Sequence, residues 1–246
     1  MEGRQAVREL LLAGRRRVKE VLVAEHLDPA PIVEEILQLA SDDRVTLRRP
    51  SRAELDATAR SEAPQGVLAR ASPVEEHDLD DLASARVTAT AAGPGPPFLL
   101  ALDGVTDPGN LGAVLRSASA AGVTGVVLPR HRAVHLTPTV AKAAAGAIEH
   151  LPMAVVGGLP AALARLRDRG VWIVGLDGRA EGSVWDLEPP DGAVMLVLGA
   201  EGTGLTRLVR QRCDETVAIP MRGPLDSLNA AVAGSIACFA LGRRRA

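Results

Sequence analysis

The chain has 246 residues, 47% apolar and 24% charged, with a formal net charge of −2 at neutral pH. That length holds one large domain or two small ones, and that apolar content excludes a disordered chain and any need for a disulfide or metal staple. A net charge so near zero provides no global basic field to advertise a nucleic-acid partner.

In chain order, RQAVRELLLA at 4–13 has the apolar spacing of an amphipathic helix and stops at Gly14. VKEVLVAE at 18–25 reads as a strand, and 30–40 as a helix with Pro31 in its first turn. RVTLRR at 44–49 is a second strand. Ser51 and Glu54 have the spacing of a capping box, which predicts a helix over 52–59. GVLARA at 66–71 is a third strand. The stretch 84–97, SARVTATAAGPGPP, has the small, glycine- and proline-rich composition of a linker. It separates an expected small α/β domain over 1–83 from a second domain over 98–246.

Past the linker the strands are longer and more apolar. FLLALD (98–103) leads through a Gly/Pro loop to a helix at 110–121, and GVVLP follows at 125–129. Thr137-Pro138 is a cap and first-turn pair for a helix through about 145. MAVV (153–156) precedes a helix at 159–169 that Gly170 ends. VWIVGLD (171–177) and AVMLVLG (193–199) are near-continuous apolar runs, as strands covered on both faces require. A helix at about 204–212, ETVAIP at 215–220 and a last helix over roughly 227–242 complete the chain. Six strands alternating with helices predict a mostly parallel six-stranded sheet in an α/β fold.

Cys213 and Cys238 have no metal-ligand spacing, so no metal site is expected. The charged N-terminus is unlike a secretion signal, and the longest apolar helix candidate, AAVAGSIACFAL, has 12 residues against roughly 20 for a membrane span. These features predict a cytoplasmic protein with no membrane partner. Residues 1–90 carry 13 basic and 17 acidic side chains, yet local basic clusters stand out: Arg15-Arg16-Arg17-Val18-Lys19, Arg48-Arg49-Pro50-Ser51-Arg52 and Arg243-Arg244-Arg245. Each reads equally as a solvated surface. The aromatics are only Phe98, Trp172, Trp185 and Phe239, so any grip on RNA rests on phosphate and shape rather than base stacking.

Ligands of open parallel sheets bind at the carboxyl ends of the strands, which directs attention to three loops. In the first, Asp107-Pro108-Gly109-Asn110 is a turn, Asn110 is positioned to cap a helix, and Arg116 follows on that helix. Read alone, this is also an ordinary capped helix with an exposed arginine. The second, VLGAEGTGL, crowds Gly199, Gly202 and Gly204 behind an apolar strand, where glycine lets main-chain amides approach a ligand. It is neither a Walker loop nor the dinucleotide fingerprint. Glu201 would repel a phosphate and suits a cationic or polyhydroxylated ligand, or is simply a solvated carboxylate. In the third, IPMRGPLDSLNAAVAG, Ser227 and Asn229 open a small-residue helix, as cap residues or as ligand contacts.

Together, NLGAVLRSASAAG, VLGAEGTGL and IPMRGPLDSLNAAVA resemble, in order and spacing, the three motifs of the SpoU (TrmH-like) family of RNA 2′-O-ribose methyltransferases, over residues 98–246. GRQAVRELL and APQGVLA resemble the small RNA-binding domain of its rRNA-directed members, and the nearest likeness is to those that methylate a guanosine ribose of large-subunit rRNA. The chain departs from them at Gly109, where they often carry histidine or another polar residue.

The resemblance implies a C-terminal trefoil knot, S-adenosylmethionine as cofactor, RNA as substrate and a homodimer. It assigns cofactor binding to Leu198, Gly199, Ile219, Met221, Ser227 and Leu228, and the catalytic group to Asn110, Arg116, Glu201 and Asn229. Two roles stay open for Arg116: proton abstraction, against the usual preference of a guanidinium to stay charged, or an electrostatic clamp on the target phosphate. Other readings are a tRNA-directed or antibiotic-resistance enzyme of the same family, a non-catalytic RNA-binding protein of this fold, and a nucleotide-binding α/β protein.

Overall fold

The structure, a computed structural model, describes residues 1–61, 63–84, 95–131, 136–224 and 226–244. Most of the linker expected over 84–97, and Arg245 of the terminal basic cluster, lie outside the described residues. Contacts divide the chain into two units, Met1–Val74 with Leu136–His150 and Glu75–His135 with Leu151–Ala246.

The first unit is built on a three-stranded sheet. β1 (Val18–Val23) is central, with β2 (Thr46–Arg48) parallel on one side and β3 (Val67–Ala71) antiparallel on the other. Alternation along these strands sends Val21, Val23, Val67 and Ala69 to one face. There they pack with Val7, Leu10 and Leu11 of α1 (Arg4–Ala13) and Val33 and Ile36 of α2 (Pro31–Asp42). On the other face Leu22 and Leu68 meet Leu55 of α3 (Arg52–Thr58). The capping box expected before α3 is formed: the Ser51 N–H donates to Glu54 Oε2 at 2.9 Å and the Glu54 N–H to Ser51 Oγ at 3.3 Å.

The second unit opens with α4 (Leu79–Ala83), a five-residue helix too short to leave a periodic signal. Leu79 and Leu82 join the core of this unit, although the sequence suggested residues 75–83 as part of the first domain. The order then runs β4 (Phe98–Asp103), α5 (Pro108–Ala120), β5 (Gly125–Pro129), α6 (Pro138–Ala143), β6 (Met153–Val156), α7 (Leu159–Asp168), β7 (Trp172–Leu176), β8 (Gly182–Ser183), β9 (Val194–Gly199), α8 (Arg207–Arg210), β10 (Glu215–Ala218) and α9 (Ala230–Gly242). Of these, α6 belongs to the first unit.

The sheet of the second unit has seven strands in the order β6-β5-β4-β9-β7-β10-β8, and every pairing in it is parallel. The expected count of six is corrected by β8, whose two residues pair with Val217 and Ala218 and are too few to show any alternation. β4, buried at every position, and β9, buried at all but its last, lie at the middle of the sheet, which is why their sequences are unbroken apolar runs. Three helix starts also shift. α5 begins at Pro108, because Asp107 rather than Asn110 caps it. α8 is one turn rather than the expected 204–212. α9 begins at Ala230, with Asn229 as its cap.

Residues 136–150 contribute α6 and a 3-10 turn, Ala147–Glu149, both packed on α1. Thr137 caps α6 as expected, accepting from the Val140 N–H at 3.3 Å. Arg16 holds the buried Glu149 carboxylate at 2.6 Å and donates to the Ser72 carbonyl, while His150 Nε2 meets Glu9 Oε2 at 2.8 Å. Burial pushes the Glu149 carboxyl above the usual carboxylate range, and Arg16 pulls it back. Arg16→Met would therefore strand a buried charge, at a cost of roughly 3 kcal/mol. The native state holds this proton more tightly than the unfolded chain, so acidification favours it. Urea midpoints should show the loss in full at about pH 8 and diminished at about pH 5; a loss independent of pH would place the effect elsewhere.

Candidate active site

A cleft of about 520 Å³ opens at the carboxyl ends of β7, β9 and β10, beside the start of α9. This is the end of a parallel sheet at which ligands bind. Leu198, Gly199, Ile219, Met221, Ser227 and Leu228, drawn from three separate segments, all line it. Glu201 lines it too and is exposed.

The glycine loop has a specific reason for its composition. Ala200 and Gly204 exchange hydrogen bonds, with N···O distances of 3.1 and 2.9 Å, so the chain folds back over the end of β9. A Cβ on Gly199 would lie 2.3 Å from the Gly204 carbonyl carbon and 2.5 Å from the Leu205 nitrogen. The space that glycine frees at Gly199 is thus taken by the loop's own backbone, whereas the sequence suggested that it admits a ligand. Gly202 and Gly204 have φ of +74° and +68°, which side chains disfavour.

Two carboxylates at strand ends hold this loop in place, and neither was singled out from the sequence. Asp103, ending β4, accepts from the Thr206 N–H at 2.7 Å. Asp177, directly after β7, has a side chain only 1% exposed. It accepts from the Arg179 N–H at 2.9 Å and the Leu205 N–H at 3.4 Å and is paired with the Arg210 guanidinium. The available signal was the same in both cases: an aspartate closing an apolar strand, in FLLALD and VWIVGLD. A charge there is costly unless a partner meets it.

The third segment is fixed through α9. Asn229 Oδ1 accepts from the Ala231 N–H at 2.9 Å and the Val232 N–H at 3.4 Å. Its Nδ2 donates to Asn110 Oδ1 at 2.9 Å, which joins two of the predicted catalytic residues across 119 positions. Asn110 is not the cap of α5: its own N–H donates to the capping Asp107 at 2.6 Å. The small residues of α9 let it approach α5 closely. Ser235 bonds Ser117 at 2.7 Å, and Gly234 faces Leu198 and Val114, with a Cβ there 2.5 Å from the Leu198 side chain.

Arg116 is not brought to the cleft. It is exposed on α5 and, among the described residues, makes no hydrogen bond or ion pair. Neither cysteine offers a nucleophile, since burial pushes the Cys213 and Cys238 thiols up to about 12. The cleft joins apolar strand ends and loop backbone, suited to a neutral heterocycle, to the carboxylates of Glu201 and Asp226, suited to a cation, with Arg179 as counterweight.

Comparison with known proteins covers the whole chain. The model of the SpoU rRNA Methylase family matches residues 97–239, and that of RNA 2′-O ribose methyltransferase substrate binding matches residues 1–77. The 23S rRNA (guanosine-2′-O-)-methyltransferase RlmB of Pseudomonas syringae pv. tomato is 41% identical, over 99% of this chain and 94% of its own length. A putative TrmH family tRNA/rRNA methyltransferase of Staphylococcus aureus is 39% identical, over 99% and 95%. The crystal structure of the SpoU methyltransferase AviRb from Streptomyces viridochromogenes, in complex with AdoMet, superposes with a TM-score of 0.78 at 26% identity, covering 99% of this chain and 89% of that one.

Asp177→Asn removes the charge that holds Arg210 and weakens the support of the glycine loop. Calorimetry should then show S-adenosylmethionine affinity lowered roughly tenfold, about 1.4 kcal/mol, with the far-ultraviolet circular dichroism of the wild type. Unchanged affinity would mean that the loop keeps its shape without this carboxylate.

Proposed function

Because the chain belongs to the SpoU rRNA methylase family, we propose a division of labour for an enzyme that methylates a ribose 2′-hydroxyl of RNA, a guanosine of 23S rRNA, with S-adenosylmethionine as donor. Residues 98–246 carry the transfer and residues 1–83 recognise the RNA. The observation that carries the reading of the site is that all six residues expected to hold the cofactor line a single cleft.

S-adenosylmethionine, when bound, supplies a methyl group already activated on a sulfonium, so the protein positions groups and handles one proton. The main chain at Gly199, Ile219 and Leu228 would hold the adenine and ribose, with Leu198, Met221 and Ser227 lining the same cleft. Glu201 faces the positive charge. Asn110 fixes Asn229, and Asn229 sets the start of α9 between the lining residues Leu228 and Ala230. Arg116 clamps the target phosphate and polarises the 2′-oxygen, whose proton leaves late to solvent. Its exposure and lack of a carboxylate partner among the described residues favour a free cation over a buried base.

The enzyme acts in the cytoplasm, where its rRNA substrate is made; no described helix is long and apolar enough to cross a membrane. The C-terminal segment forms a trefoil knot. Support comes from the sheet order, in which β9 lies between β4 and β7 before α9 returns to α5. The working form is a homodimer in which Arg116 of one protomer completes the cleft of its partner. Arg116 lies outside its own cleft, and α9 exposes Val232 and Phe239, the latter beside Trp185, an apolar face for a second copy.

Mapping of ribose methylation in 23S rRNA from a deletion strain tests the activity: one guanosine should lose its 2′-O-methyl group, and an unaltered rRNA map would overturn the target. Arg116→Ala should abolish transfer in single-turnover assays and leave S-adenosylmethionine affinity within about twofold. Arg116→Lys should be nearly as poor, because lysine lacks the planar fork; activity that is retained and rises with pH would assign proton abstraction instead.

The shared site has its own test. Mixing inactive Arg116→Ala with inactive Asp177→Asn/Gly199→Val chains should restore transfer in the heterodimer, where one cleft and one arginine remain intact together. No recovery from chains shown to exchange would place Arg116 and the cleft in the same protomer.

A further inference from the structure

Strand register sorts charge on the first unit. Glu20 lies opposite Thr46 and Arg70, and Leu22 opposite Arg48 and Leu68, so these side chains share one face of the sheet. α3 covers the Leu22 and Leu68 end of that face. The rest is open, with the Arg48 and Arg70 side chains 60% and 58% exposed. Glu20, only 16% exposed, stands between them, 2.8 Å from the Arg70 guanidinium and 3.6 Å from that of Arg48, and fixes the two side by side.

Two clefts of about 310 and 430 Å³ share Leu22, Thr58 and Arg70 and form one groove along this face. Arg49, Arg60 and Lys19 line it, all exposed and without an ion pair among the described residues. The groove's other carboxylates are already engaged. Glu54 is held by the capping box, and the backbone N–H of Ser51 keeps its carboxyl below the usual range. Glu2 is buried and accepts from the Arg60 and Ser61 N–H groups at 2.8 and 2.7 Å. Arg16 also lines the groove but is committed to Glu149. The acidic surplus of this part of the chain is elsewhere: Glu34, Glu35, Asp42 and Asp43 are on or beside α2, which packs on the opposite face of the sheet.

We infer that this groove grips the sugar–phosphate backbone of structured RNA through Arg48, Arg49, Arg60 and Arg70; the inference rests on the reading of the chain as an RNA methyltransferase. Four guanidiniums with no uncommitted carboxylate among them match phosphates, which arginine meets with paired N–H donors. The first unit contains no phenylalanine, tyrosine or tryptophan, and no histidine lines the groove, so the contact reads backbone and shape. The groove also unites two basic clusters that are distant in the sequence, one contributing Lys19 and the other Arg48 and Arg49. Glu20 pre-orders two of the arginines, so less side-chain freedom is lost when RNA arrives.

The test uses the full-length protein and a 23S rRNA fragment that contains the methylated guanosine, with affinity measured over a series of salt concentrations. Arg49→Ser/Arg60→Ser removes two cations whose loss strands no partner. Its RNA affinity should fall roughly tenfold, and the slope of log affinity against log salt should flatten by about 1.5. The loss should appear in KM for RNA and not in affinity for S-adenosylmethionine. Arg49→Lys/Arg60→Lys should restore most of the slope and only part of the affinity. Arg44→Asn/Arg167→Ser removes two exposed cations outside the groove and should change neither. Unaltered affinity and slope in the serine variant overturn the proposal, as does an equal loss in the control pair. A wild-type protein that binds this RNA but transfers no methyl group would overturn the catalytic reading alone; the groove would stand if the serine variant loses RNA.

Discussion

A charge buried at the edge of a parallel sheet must be met by a counter-charge, and around Asp177 that requirement organises the catalytic unit. The carboxylate is almost sealed from solvent, so Arg210 has to reach it from α8. What remains of its acceptor capacity goes to main-chain N–H groups on both sides of the cleft, at Arg179 and Leu205. One side chain thereby ties the end of β7 to the loop leaving β9. The glycines complete the arrangement: Gly199 and Gly204 allow the loop to close on itself, and the closed loop forms one wall of the cleft. Replacing any of these groups by itself leaves the others with unmet polar atoms or with a steric clash.

The opposite wall depends on α9 and its contact with α5. Gly234 and Ser235 let the two helices approach within side-chain hydrogen-bonding distance, and Asn229 and Asn110 lock their N-terminal ends together. The asparagine pair is at once a helix cap and a crosslink between distant segments.

Much of this was legible in the sequence because the strands of the second unit are apolar throughout and helix and strand alternate without interruption. The loops that follow β9 and β10 stand out in the sequence, since glycines and polar residues there break an otherwise apolar pattern. What could not be read was short or three-dimensional. β8 has two residues, and α4 and α8 are single turns, below the length at which periodicity exists. Asp103 and Asp177 look like ordinary strand ends until the Thr206 and Leu205 amides are seen against them. Asn110 occupies a turn before a helix, the place of a cap; Asp107, three residues earlier, takes that role and frees the Asn110 side chain for Asn229.

The placement of residues 136–150 bears on how such proteins could be recombined. In sequence this stretch lies well inside the catalytic portion, yet α6 and the turn after it are packed on α1, with Arg16 and Glu9 meeting Glu149 and His150. A graft that replaced the first 83 residues with those of a relative would import a foreign α1 against a native partner segment. Complementarity between the two would have to survive by chance or be carried along in the exchange. The natural unit of exchange is therefore discontinuous, two stretches of chain that must be inherited together even though more than 50 residues separate them in the sequence.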